Sequence, residues 1–140
     1  MLSLKTLLLS LFTLLLLTAC EPIPNTALKS THWELIEMKG ESVESFENQP
    51  HIHLVFHLND SSFHGSDGCN RLNGHYTKDK NNFTMDKIAS TRMMCKAGMK
   101  QGNNFLHMLT STDRIKIVED NLILYHADIP VARFEAIEVY

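Results

Sequence analysis

Hydrophobic and polar residues follow three different rhythms along this chain. From Leu7 to Leu17 the run is nearly all leucine, about 11 residues, short of the roughly 20 that a membrane-spanning helix needs. From Thr31 onward the apolar residues come in short bursts of period two, which predicts strands. Thr31–Met38 places Trp33 and Leu35 on one face and ends at Lys39-Gly40. His51–Leu58 alternates most strictly, with Ile52, Leu54, Phe56 and Leu58 facing inward and His51, His53, Val55 and His57 outward. Asn59-Asp60 then turns the chain into Ser62–Ser66, and Asp67-Gly68 turns it again. Asn73–Lys78 and Asn82–Asp86 flank a polar Asp79-Lys80-Asn81 turn, and Ile88–Cys95 reads as extended. Only Met99–Leu109 shows a helical stripe, through Met99, Phe105, Leu106, Met108 and Leu109. Arg114–Val118 and Leu122–Tyr125 form a hairpin about Glu119-Asp120-Asn121, and Ala132–Val139 is the last strand.

About eight short strands and one helix predict a mostly β (α+β) domain. It would be a small curled sheet or partly open β-barrel, with the helix covering one opening. The leucine run has a different purpose. Lys5 precedes it and Leu17-Thr18-Ala19-Cys20 follows, the order of a lipoprotein signal and its lipobox. Cleavage before Cys20 and acylation of its sulfur and amine would anchor the protein, each buried CH₂ contributing about 0.8 kcal/mol. On this reading residues 1–19 are leader, residues 20–30 are the lipidated cysteine and a tether containing Pro22 and Pro24, and residues 31–140 are one domain.

Charge narrows the choice of partners. Without Lys5 the chain has 12 basic and 16 acidic side chains, a formal charge of −4, and no basic cluster, which argues against nucleic-acid binding. The expected partners are a membrane, through the anchor, and another envelope protein. Glu21 after the lipidated residue leaves the final membrane open, and the outer membrane with the domain facing the periplasm is the expectation. No cofactor is expected.

Once Cys20 is lipidated, Cys69 and Cys95 remain as a pair in an oxidising compartment, either bridged or packed as two buried thiols. A bridge would contribute roughly 3.5 kcal/mol by the chain-entropy model.

Specific residues then point to a family. Trp33-Glu34-Leu35 opens the domain, and Gly65-Ser66-Asp67-Gly68-Cys69-Asn70-Arg71 follows with Gly74 and Tyr76. Ala89-Ser90-Thr91-Arg92-Met93-Met94-Cys95 comes about twenty residues later, before Phe105-Leu106, Leu109 and Leu122-Ile123-Leu124. This order resembles the META domain, also called the HslJ family, from Trp33 to Phe134. The resemblance implies a partly closed β-barrel with one helix. It also implies a link to heat shock, envelope stress and novobiocin tolerance, and in protozoan relatives to virulence and motility or secretion. It offers no catalytic site to carry over. Two positions depart from the pattern: Leu72 stands where an aromatic is common, and Gly102 where an acidic residue is common.

Three groups of side chains are candidates for chemistry. Asn70, Arg71 and Arg92 flank the cysteines. The two guanidinium groups either form an interaction patch for a carboxylate or phosphate, or bind loop carbonyls or the Asp67 or Asp86 carboxylate. His51, His53 and His57 share a strand face, as weak metal candidates or as a solvated polar face. His32, His64, His75, His107 and His126 show no ligand spacing. Enzyme templates are missing: there is no G-x-S-x-G, H-E-x-x-H or phosphate-cradling glycine loop. Cys69 beside His64 or His75 is the nearest approach to a nucleophile, and oxidation would remove its thiolate. Met93, Met94, Met99 and Met108 are expected to fill core gaps. The expected function is therefore a non-enzymatic envelope lipoprotein supporting envelope integrity or stress tolerance through protein interaction. The alternative is a module for a small hydrophobic ligand or a metal. The ligand version needs an interior not filled by Trp33, Phe56, Phe63, Phe83 and Phe105.

Overall fold

The computed structural model describes Leu28, residues 31–80 and residues 82–137. The proposed leader, Cys20 and most of the tether lie outside the described residues. The described residues form nine antiparallel strands and one helix: β1 (His32–Met38), β2 (Glu41–Ser42), β3 (His53–His57), β4 (Ser62–Ser66), β5 (Arg71–Asp79), β6 (Asn82–Ser90), α1 (Met99–Ser111), β7 (Arg114–Val118), β8 (Asn121–His126) and β9 (Ile129–Ile137). Strand neighbours run β2-β1-β3-β4-β5-β6-β7-β8-β9, and β1 also pairs with β9, so the sheet closes on itself. The weak point of the ring is β6–β7, joined by the single register pair Asn82↔Arg114. The helix sits in the chain between those two strands and buries Phe105, Met108 and Leu109 of the predicted stripe, together with Gly102, while Met99 and Leu106 are half-buried.

Period two decides which residues face in. On β3, Leu54 and Phe56 are buried while His53, Val55 and His57 are not. Trp33, Phe56, Phe63, Phe83, Phe105 and Phe134 are each 2% exposed or less. Phe56 meets Tyr76 and Phe83 edge-on, with ring centres 5.4 and 5.9 Å away. Burying each such side chain contributes about 1.5–3 kcal/mol. These side chains make up the interior of the domain.

The structure revises several expectations. Leu28, assigned to the tether, is 1% exposed within the core, so the folded domain takes it in. One leucine in a proline-containing polar run gives no periodic signal. The segments 82–86 and 88–95 prove to be one strand to Ser90, irregular opposite Gly74, followed by a loop. Lys87 at φ 51 absorbs the irregularity. The last strand starts at Ile129 instead of Ala132, since an irregularity between Leu124 and Tyr125 accommodates Pro130. Among the described residues no helix is long and apolar enough to cross a membrane.

Candidate functional site

Two loops and the start of α1 meet at one place on the surface. The first loop, residues 67–70, is held by a buried carboxylate: Asp67 Oδ1 accepts from the backbone N–H of Cys69 (2.9 Å) and of Asn70 (2.5 Å). Gly68 adopts φ +92, a conformation that side chains rarely tolerate. Asn70 then reaches into the second loop. Its Oδ1 accepts from the Met93 N–H at 2.6 Å and from Thr91 Oγ1 at 3.1 Å, while its Nδ2 donates to Asp67 Oδ2 at 3.4 Å. Thr91 N–H donates to the Arg71 carbonyl at 3.0 Å, and Arg71 N–H donates to Thr91 Oγ1 at 3.1 Å. A disulfide joins Cys69 to Cys95 across the same loops, with Cα atoms 6.0 Å apart. This is the bridged alternative, and it leaves Cys69 without the thiolate a nucleophile needs. The helix abuts the first loop so closely that a Cβ on Gly102 would lie 2.8 Å from the Asp67 carbonyl oxygen.

The pairs of motif residues that stand out in the sequence are therefore the ones that tie the two loops together. The META domain family model matches residues 26–138. The chain belongs to the META domain family. No functionally curated protein matches it. Three solved structures are similar in fold. A protein from Burkholderia xenovorans, solved by NMR, is 22% identical with a TM-score of 0.67, over 86% of this chain and 93% of that one. A second NMR structure is 23% identical with a TM-score of 0.63, over 81% and 95%. The crystal structure of a DUF4847 family protein from Bacteroides vulgatus is 13% identical with a TM-score of 0.56, over 77% and 93%.

In this META domain the polar loop residues point inward and others are left outward. Neither Arg71 nor Arg92 takes the Asp67 or Asp86 carboxylate. Both side chains are exposed, and among the described residues neither has a hydrogen bond or ion pair. Met93 and Met94, expected in the core, are 56% and 91% exposed. Their loop is fixed through its backbone and through Asn70, which turns these side chains away from the interior. Arg92, Met93, Met94, Met99 and Leu106 line a groove of about 340 Å³ beside the disulfide. Leu72 is buried and fills its position as a smaller apolar residue.

Six histidines, His32, His51, His53, His57, His64 and His75, lie on or beside β1, β3, β4 and β5, apart from the disulfide loops. The three sequence candidates find three different partners. His51 Nδ1 pairs with Glu34 Oε1. His53 Nδ1 bonds the His51 carbonyl, and its ring stacks on His32 with centres 4.2 Å apart. His57 Nε2 meets His64 Nδ1 at 2.7 Å, rings stacked with centres 4.9 Å apart. Partial burial, then the neighbouring His57, lowers the His64 pKa from its ordinary value; His32 is lowered by partial burial and then by His53. Among the described residues no group of three His, Cys, Asp or Glu side chains is placed to hold a metal ion. Sequence spacing passed over His32 and His64 because their proximity depends on strand register. His107, on α1, and His126, at the end of β8, lie outside this group.

Proposed function

We propose that this META domain is a non-enzymatic contact module of the bacterial envelope. Lipid on Cys20 holds it at the outer membrane, and the domain faces the periplasm and docks another envelope protein, supporting envelope integrity under heat or antibiotic stress. The observation that carries this reading is the division of labour at the disulfide. Asp67, Asn70 and Thr91 are consumed in holding the loops, whereas Arg71, Arg92, Met93 and Met94 stand exposed on a backbone those bonds make rigid. Rigid loops lose little entropy when a partner docks, and arginine and methionine are the residue types enriched in protein interfaces. The filled interior supports a surface role over a carrier role.

The test has two arms. A photo-crosslinking side chain at position 94 in living cells is expected to capture a defined envelope protein, and the same probe at Glu119 in the β7–β8 turn is not. Changing Arg71 and Arg92 together to Glu is expected to abolish the adduct while the melting temperature stays within a few degrees. Equal capture from both positions would refute the docking surface. Separately, intact mass of membrane-extracted protein checks acylation at Cys20, and a Cys20→Ser protein is expected to leave the membrane fraction.

A further inference from the structure

The pairing of His57 with His64 has chemistry that the docking surface does not use. We propose that His57 and His64 form a two-imidazole binding site for a transition-metal dication, with Cu²⁺ the strongest binder, on the outer face of β3 and β4. The two nitrogens already approach to 2.7 Å. Nitrogens sharing one metal at bond lengths of about 2.0–2.1 Å stand roughly 2.9–3.4 Å apart, depending on the angle between the bonds. Chelation requires a separation a few tenths of an ångström wider and a tilt of both rings that aims their lone pairs at one point, and the two exposed rings have solvent beside them in which to make it. The site is fixed by register: His57 pairs with Ser62 and His64 with Val55, so both side chains emerge on the same face from adjacent strands.

The surroundings fit a cation held by two protein ligands and solvent. A groove of about 440 Å³ is lined by His57, His64, His75, Asp60, Asn73 and Lys87. The Asp60 carboxylate is charged there, its pKa lowered by hydrogen bonds from Ser62 and, to a lesser extent, by His57. Lys87 opposes a cation, but its charge is on a long flexible stem, whereas the imidazoles are anchored on paired strands. Imidazole nitrogen suits copper, nickel and zinc, and the order of divalent affinities puts copper first. The proton balance is simple at neutral pH. In the metal-free pair one ring donates N–H to the other. With metal bound, both contact nitrogens offer lone pairs and each ring's proton resides on its other nitrogen, so the pair itself releases no net proton.

The experiment uses the whole protein purified without a histidine tag, titrated with CuCl₂ at pH 7.4 by calorimetry, with electron paramagnetic resonance of the bound ion. The expected result is one site, nitrogen hyperfine structure, and at least about tenfold weaker binding for His57→Gln and for His64→Gln. His107→Gln on the helix is expected to bind as the unaltered protein does. Protons compete with the metal for imidazole lone pairs, so copper is also expected to dissociate from the unaltered protein as pH falls from 7.4 to 5.5; His32, His53, His75, Asp60 and Lys87 are the other titratable groups near the pair. That measurement needs no substitution, so a poorly folding variant does not spare the idea. Binding weaker than about 100 μM, or equal binding by the unaltered protein and both variants, would overturn it.

Discussion

Replacing Asn70 with alanine tests whether the loops at the disulfide depend on a single carboxamide. The substitution removes two bonds accepted by Oδ1, from Met93 N–H and Thr91 Oγ1, and one donated by Nδ2 to the Asp67 carboxylate. Each neutral bond contributes about 1 kcal/mol, and the charge-assisted one, long at 3.4 Å, about the same, for a total of about 3 kcal/mol. A domain of roughly 110 residues unfolds with an entropy near 0.23 kcal/mol/K, so the melting temperature is expected to fall by about 13 °C. The assay is thermal unfolding of the oxidised protein by circular dichroism, together with hydrogen exchange at the Met93 amide, whose protection is expected to drop sharply. Asn70→Asp is a useful companion. It keeps oxygen acceptors but sets a second carboxylate against Asp67 in a buried site, so it is expected to be worse than alanine at pH 7 and to recover as pH falls toward 4. A loss under about 1 kcal/mol with Met93 still protected would refute the reasoning, because the disulfide alone would then be holding the loops.

Three further outcomes are expected. Cys69→Ala with Cys95→Ala opens a 26-residue separation and is expected to cost about 3.5 kcal/mol, read by denaturant unfolding; a loss below 1 would count against it. Gly102→Asp places a Cβ 2.8 Å from the Asp67 carbonyl and is expected to cost about 2 kcal/mol despite the favourable first-turn charge; an unchanged melting temperature would show that the helix can shift. For His64 and His32, NMR titration is expected to give midpoints below 6.5. The folded rings hold protons less tightly than the unfolded chain, so stability is full above pH 6.5 and declines as pH falls through the lowered midpoints; a stability that rises on acidification from 7 to 5 would contradict the sign.

The alternating stretch around Leu54 and Phe56 was legible because a half-buried strand leaves a period-two record, and the helix was legible through Phe105, Met108 and Leu109. The two-residue strand Glu41–Ser42 was not legible, since both its residues are exposed and nothing periodic marks them. At the site, Asp67-Gly68 could be read as a turn from composition. That Asn70 extends to Met93, 23 positions onward, is a fact of packing with no local trace. The methionines misled for the same reason: residue type says apolar, while the direction of Met93 and Met94 is set by backbone bonds made elsewhere. The His57–His64 contact required knowing how many residues the turn between β3 and β4 consumes, because one step of slippage would send every side chain of a strand to the opposite face.

The pairing of β1 with β9 imposes an order on how the molecule can be made. Residues 32–38 need residues 132–137 as neighbours. A ribosome must therefore deliver nearly the whole domain before its first strand gains that flank. Until then Trp33 and Leu35 lack part of their shelter, and the growing polypeptide is exposed to holdase chaperones and to proteases. Contacts so distant in sequence also make folding slow, on the millisecond-to-second scale. A chain that closes late keeps its N-terminal strand without one of its two flanks until the C-terminal strand is available.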